Sequence, residues 1–434
     1  MIAVFALLAL AGLMQAARSF APGTVAAGGT ELAFGFLLLT SYFTGRLFNR
    51  IGLPKLTGYI AAGILAGPQV LDLVDKPMIG QLKLVGGVAT AIIALQAGAE
   101  LNFRAVRPLF KVVRNITVLA IFGTMVALAA VLVLVRPLIP FLAELPFTHA
   151  LVVACALGIA LSAQSPAVVM AMIGETRSEG VLTRTILTLV IVADLAVIIS
   201  FGIASASATA VMGGDVDVGA TIAGIAWEVL GSIGVGTFIG LLLSAFLLYV
   251  NKGVGLFAVM VCFVVAEIGH AVHLDPLIIA LTAGVWLENV SRADAKQLLR
   301  SFDAASLPVY LVFFALAGAK LDLGALAVLA LPVAILVVTR AGSFFVGCRV
   351  ATAGPDVDPL VRRMAWMGLL PQAGLALALA ELVRRAFPAF GDAAFALVVG
   401  VVATNELVAP VILRIALLRS GEAGRREGGD ASAH

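Results

Sequence analysis

The chain has 434 residues, of which 62% are hydrophobic and 12% charged, with a formal net charge of +3. That balance excludes a water-soluble globular domain and implies a polytopic membrane protein. The Lys and Arg residues are dispersed among short loops and the C-terminus, which leaves no basic tract for a nucleic-acid partner.

Residues 1–29 form an apolar N-terminal segment with no basic residue before Arg18, which favours a retained helix over a cleaved signal. A membrane-crossing helix needs about twenty predominantly apolar residues. Thirteen such spans follow, near 31–49, 56–72, 84–102, 114–137, 148–173, 185–210, 220–250, 254–272, 276–290, 306–321, 324–350, 364–385 and 393–418; the N-terminal segment would make fourteen. The expectation is an all-α membrane domain over 30–420 and a disordered polar tail over 421–434. Three cysteines, Cys155, Cys262 and Cys348, lie in apolar runs at unrelated spacing, which suggests core packing; no disulfide frame, metal cluster or cofactor is called for.

Basic residues accumulate on the cytoplasmic side of membrane proteins. Arg46, Arg50 and Lys55 cluster around one loop, and Arg104, Arg107, Lys111 and Arg114 around the loop two spans later. Continuing the alternation puts the C-terminus in the cytoplasm. Arg136 and the pair Arg384 and Arg385 fall on the opposite side.

Two short echoes suggest an internal repeat. Ala97-Gly98-Ala99-Glu100-Leu101-Asn102 returns as Ala317-Gly318-Ala319-Lys320-Leu321-Asp322, and Ala193-Asp194-Leu195 is echoed by Asn405-Glu406-Leu407. The repeats would be 54–210 and 275–418, five spans each, joined by two linking helices over 220–272. Two intervening spans start the second copy on the opposite face, an inverted repeat of the kind that puts a substrate site near the membrane midplane.

The span before Asp194 contains Ser162-Ala163-Gln164-Ser165-Pro166, and its counterpart contains Leu369-Leu370-Pro371-Gln372-Ala373-Gly374. Proline removes a backbone donor and clashes with the preceding turn. In lipid the freed carbonyls need partners, so such breaks survive where they line a cavity or are buried in protein. The bland alternative is a pair of packed proline kinks. Asp194 is the single ionisable side chain in the thirty residues from Thr185 to Gly214. A carboxylate at that depth costs about 2.5–3.5 kcal/mol on insertion scales, so it normally faces protein or water on an ion path. Arg340 is alone between Asp322 and Arg349, and Glu406 between Asp392 and Arg414. Glu100 or Glu406 is the expected buried partner of Arg340.

Taken together, these stretches resemble the monovalent cation:proton antiporters, in particular the branch of potassium-efflux and bacterial sodium/proton exchangers. The resemblance rests on Gly52-Leu53-Pro54 through Gly63 and Gly67-Pro68, on Gly98-Ala99-Glu100, on Ser162 through Pro166, on Phe313-Phe314-Ala315-Leu316-Ala317-Gly318, on Arg340 followed by Gly347, and on Leu369 through Gln372. It covers about residues 30–420. The resemblance implies two crossing broken helices in a core domain that moves like an elevator, a scaffold that forms a homodimer, and a bacterial-type inner membrane. It assigns Asp194 to the ion- and proton-binding aspartate, the ligand of sodium or potassium, with Ser162, Gln164, Ser165 and Gln372 around it and Arg340 with Glu100 as a structural pair. Ala193 stands where the family usually has Asp, Asn or Gln, and Gln164 where it commonly has Thr.

The partners expected on this reading are protons, a monovalent cation and the lipid bilayer, and the lone carboxylate suggests a one-for-one, electroneutral exchange. The rival within transport is a sodium-coupled symporter of a small organic solute with a similar repeat. No channel filter is visible, and an intramembrane aspartyl protease would need a second aspartate deep in a facing span. An enzyme is therefore not expected.

Overall fold

A computed structural model of the protein describes the chain apart from residues 1, 21–28, 213–218, 220–222, 225, 251, 273, 321–328, 355–356, 373, 388 and 426–434. Every regular element among the described residues is helical. In chain order the main helices are α1 (Ile2–Phe20), α2 (Thr30–Arg50), α3 (Lys55–Ala66), α4 (Lys83–Glu100), α5 (Gly123–Leu134), α6 (Phe147–Ser162), α7 (Pro166–Thr176) and α8 (Val181–Val211). They continue as α9 (Ser232–Tyr249), α10 (Val254–Val272), α11 (Pro276–Asn289), α12 (Ala295–Ala319), α13 (Ala330–Ala351), α14 (Pro359–Gly368), α15 (Gly374–Ala386) and α16 (Gly391–Arg419).

Several starts are written into the sequence as a capping residue followed by proline. Ser165, Asp275 and Asp358 each accept a backbone N–H of the first turn, from Val168 at 3.2 Å, Leu277 at 2.7 Å and Leu360 at 2.8 Å. The proline that follows occupies a position whose N–H has no partner inside the helix. Among the described residues, six stretches are long and apolar enough to cross a membrane: Arg107–Leu134, Phe147–Thr176, Val181–Ser205, Trp227–Tyr249, Ala330–Ala351 and Gly391–Arg419. Shorter apolar helices lie between them. Hydropathy marks the greasy part of a helix rather than its ends: α12 begins at Ala295 and runs through Pro308, whereas the apolar span starts near 306.

One compact unit comprises Met1–Asn102 and Trp227–Leu321. Its core is made where α11 packs on α4 and α12 packs on α3, and glycines set how close those helices come. A Cβ on Gly98 would run into the carbonyl of Leu281, and one on Gly284 into the carbonyl of Leu95; Gly63 and Gly318 stand in the same relation to Ala315 and Ile60. Lipid supplies no hydrophobic drive for helices to associate, so close packing of this kind holds them together. Gly98→Leu is therefore expected to force α4 and α11 apart at a cost of about 1–3 kcal/mol or more. Heating the detergent-solubilised protein and following its monodisperse fraction should show a midpoint several degrees lower; an unchanged midpoint would mean that this crossing is loose.

The second unit comprises Phe103–Ala226 and Asp322–Gly428. Here α8 packs against α6, α7, α14 and α15, while α16 packs against α7, α13 and α15. Two of the arginines that violated the charge rule have their donors taken up locally. Arg136 donates to the carbonyls of Leu142 at 2.7 Å, Ala143 at 2.9 Å and Leu145, and Arg384 pairs with Glu381 at 2.6 Å and Asp392 at 3.4 Å. The side chain of Arg385 lies outside the described residues. The tail departs from the expected disorder at its first residues: Glu422 is 2% exposed and hydrogen-bonded. Residues 426–434 of that tail lie outside the described residues.

Candidate functional site: two helix breaks and a buried aspartate

Both predicted breaks are present. Helix α6 ends at Ser162, residues 163–165 are extended, and α7 starts at Pro166; α14 ends at Gly368 and α15 starts at Gly374. A helix end leaves its last carbonyls without partners, and here both sets are buried. Arg340 on α13, 0% exposed, gathers them. Its Nε donates to the carbonyl of Leu161 at 2.9 Å and its Nη2 to that of Ala163 at 2.8 Å, both on the first break. On the second break, Nη1 donates to the carbonyl of Leu370 at 2.6 Å and Nη2 to that of Leu369 at 3.2 Å. The rigid fork of a guanidinium can reach two chains at once, as a lysine cannot. Its positive charge also compensates the negative ends of two helix dipoles.

A carboxylate from Glu100 or Glu406 was the expected partner of Arg340. The four oxygens that accept its N–H groups are carbonyls. Glu100 ends α4 in the first unit, and Glu406 is buried on α16.

Amides also join the two breaks. Gln372 Nε2 donates to the carbonyl of Leu161 at 3.0 Å, and its Oε1 accepts from Asn405 Nδ2 at 2.9 Å. Asn405 was noticed in the sequence only as the echo of Ala193; its amide ties α16 to the second break. Ser162 donates to the carbonyl of Ile159 at 2.7 Å, and Gln164 Nε2 to that of Ser162 at 2.5 Å. The Oε1 of Gln164, on a side chain 1% exposed, is buried without a hydrogen-bond partner among the described residues. A buried acceptor of that kind has an unmet demand for a proton donor or a cation.

Asp194 is 5% exposed on α8, which, like α16, touches both halves of both broken helices. Its neighbours at helical spacing, Val190, Ala193 and Val197, are fully buried, while Val192, Leu195 and Ile199 are exposed on the far side. The carboxylate thus shares the protein-facing stripe of α8, opposite the face left for lipid. No group of three or more His, Cys, Asp or Glu side chains placed to hold a metal ion occurs among the described residues. A carboxylate such as that of Asp194 and an amide oxygen such as that of Gln164 are the kinds of ligand that suit hard cations.

The family model for the transmembrane sodium/hydrogen exchanger matches residues 35–419. Among solved structures, the sodium proton antiporter MjNhaP1 from Methanocaldococcus jannaschii, determined at pH 8, is similar with a TM-score of 0.65 at 13% identity, over 89% of this chain and 97% of that one. An electron-microscopy structure of the same antiporter gives a TM-score of 0.67 at 14% identity, over 89% of this chain and 96% of that one. No curated protein matches the sequence significantly.

Proposed function

The chain belongs to the transmembrane sodium/hydrogen exchanger family, and we propose that it exchanges a monovalent cation, sodium or potassium, for protons at Asp194. The observation that carries this reading is the buried carboxylate on a helix that packs against both broken helices. Proton and cation compete for the same oxygen atoms. Either load neutralises the carboxylate, whereas the empty anion is held back by the cost of carrying a bare charge through a low-dielectric barrier. Exchange follows from that restriction, one cation for one proton. Gln164, Ser162, Ser165 and Gln372 complete the oxygen set, and Arg340 holds the breaks in register without touching the ion. Glu406 is a structural acid on this reading, and Glu100 belongs to the scaffold.

The reading extends to architecture. Ten of thirteen spans form an inverted repeat of five and five, the second unit is the moving core of an elevator and the first its scaffold, which pairs in a homodimer in a bacterial inner membrane with the C-terminus in the cytoplasm. The glycine crossings support the repeat. Gly63 and Gly284 are 221 residues apart (284 − 63), Gly98 and Gly318 are 220 apart (318 − 98), and each crossing joins one glycine from either copy. A two-fold relation exchanging the copies would map one crossing onto the other.

Proton movement in proteoliposomes, driven in turn by sodium, potassium and lithium gradients with the voltage clamped by an ionophore, tests the function. Cation-driven proton efflux that survives the clamp is the expected result. Proton movement that needs an organic solute, or none under any cation gradient, would overturn the reading.

A further inference from the structure

Helix α8 begins without a cap of its own. The residue before it is Gly180, which has no side chain to offer the first N–H groups, and a Cβ there would collide with the carboxyl of Glu422. That carboxyl arrives from 240 residues away. Its Oε1 accepts the Leu182 N–H at 2.8 Å, and its Oε2 accepts the Thr183 N–H at 2.8 Å and the Thr183 hydroxyl at 2.7 Å. A carboxylate shared among three donors at the positive end of a helix makes strong, charge-assisted bonds.

The same short segment holds two more elements. The Glu422 carbonyl accepts the Glu179 N–H at 3.0 Å, and the Gly424 N–H donates to the carbonyl of Thr176, the last residue of α7, at 3.0 Å. Ser420, just past α16, accepts the Glu422 N–H at 3.1 Å, and Gly421, at φ +71°, turns the chain back. The positive φ is one that glycine adopts without strain.

Three helices therefore meet at this clamp, and each leads to a residue of the candidate site: Ser165, Asp194, or Asn405, which holds Gln372. Ser165 lies eleven residues from Thr176 on α7 (176 − 165), Asp194 twelve from Leu182 on α8 (194 − 182), and Asn405 fifteen from Ser420 along α16 (420 − 405). At the helical rise these legs measure about 16, 18 and 22 Å. Sliding or rotating α8 at the clamp moves Asp194 relative to Ser165 by the same amount, because a helix transmits such motion along its axis.

We propose that Glu422 is a positioning residue for ion exchange: by fixing the start of α8 against the end of α7 and of α16, it sets the register of Asp194 against the first helix break. The role rests on the exchange proposed above. Sodium-driven proton movement in proteoliposomes is measured for the full chain and for Glu422→Gln, Gly180→Ala and Thr183→Val. Glu422→Gln leaves one amide N–H facing a backbone donor, Gly180→Ala evicts the carboxyl with a single methyl group, and Thr183→Val removes one bond of three.

The first two variants are expected to raise the sodium concentration for half-maximal exchange about three- to tenfold while the maximal rate stays within about twofold, the pattern of weakened ground-state binding. Thr183→Val should fall between them and the parent. Hydrogen exchange at Leu182 and Thr183 should accelerate in the same order. Folded variants in which these amides exchange faster but half-saturation is unchanged would reduce Glu422 to a helix cap and overturn the proposal. Should Glu422→Gln fail to fold, Gly180→Ala and Thr183→Val decide on the same criterion. A parent chain that moves no protons under any cation gradient would sink the exchange reading itself, and the positioning role with it; exchange by the parent with unaltered variants sinks only the latter.

Discussion

Asp194→Asn is expected to lower cation-driven proton movement at least about a hundredfold, the loss of more than two decades that removal of an essential proton carrier brings. The amide has nearly the shape of the carboxylate but can neither release a proton nor attract a cation with a full charge. Asp194 is buried on the protein-facing stripe of α8. The change removes a charge from a low-dielectric site, so it brings no desolvation cost of its own. Lost exchange with an unchanged melting midpoint is therefore the expected pair of readouts. A variant that still couples sodium to protons would move the ion site elsewhere, whereas a variant that unfolds would recast Asp194 as a structural acid. Flux in vesicles and the melting midpoint in detergent, measured on one preparation, separate these outcomes.

Much of this site was legible before the structure, and the reasons differ by residue. Asp194 announced itself because charge is scarce in apolar sequence. The breaks were legible because Pro166 and Pro371 each stand at mid-span beside hydroxyls, amides or glycine and remove a backbone donor. The partners of Arg340 were not. Sequence displays charges, so pairing logic reached for Glu100 or Glu406; the carbonyls of Leu161, Ala163, Leu369 and Leu370 become acceptors only after the helices have broken and come together.

Glu422 was invisible for a related reason. A tail of Gly, Ala and mixed charge reads as disordered, and a cap supplied from 240 residues away leaves no local pattern. The trace it did leave is negative: a helix of 31 residues whose N-terminus follows Gly180, with no capping side chain. Asn405 falls between these cases. Its place opposite Ala193 in the repeat was visible, but its bond to Gln372 depends on where the second break puts that amide.

The second large effect follows from the carbonyls around Arg340. Arg340→Met removes four N–H···O bonds while keeping much of the side chain's volume. Leu161 retains the bond from Gln372, so three carbonyls, those of Ala163, Leu369 and Leu370, lose the donor that Arg340 supplied. At about 1–3 kcal/mol for each buried acceptor left unsatisfied, the cost is about 3–9 kcal/mol. That rivals the whole stability of an ordinary domain, about 5–15 kcal/mol. The variant is expected to lose its monodisperse folded form, or to melt more than about ten degrees lower. Arg340→Lys should lie between, since one ammonium keeps the charge but cannot span two chains with a fixed fork. A carboxylate partnership predicts something different. If Arg340 chiefly neutralised Glu406, then Glu406→Gln in the Arg340→Met background would remove the stranded charge and restore stability. With carbonyls as the acceptors, the double variant is expected to melt no higher than Arg340→Met alone, and a recovery of several degrees would return Arg340 to the role of an ion-pair partner.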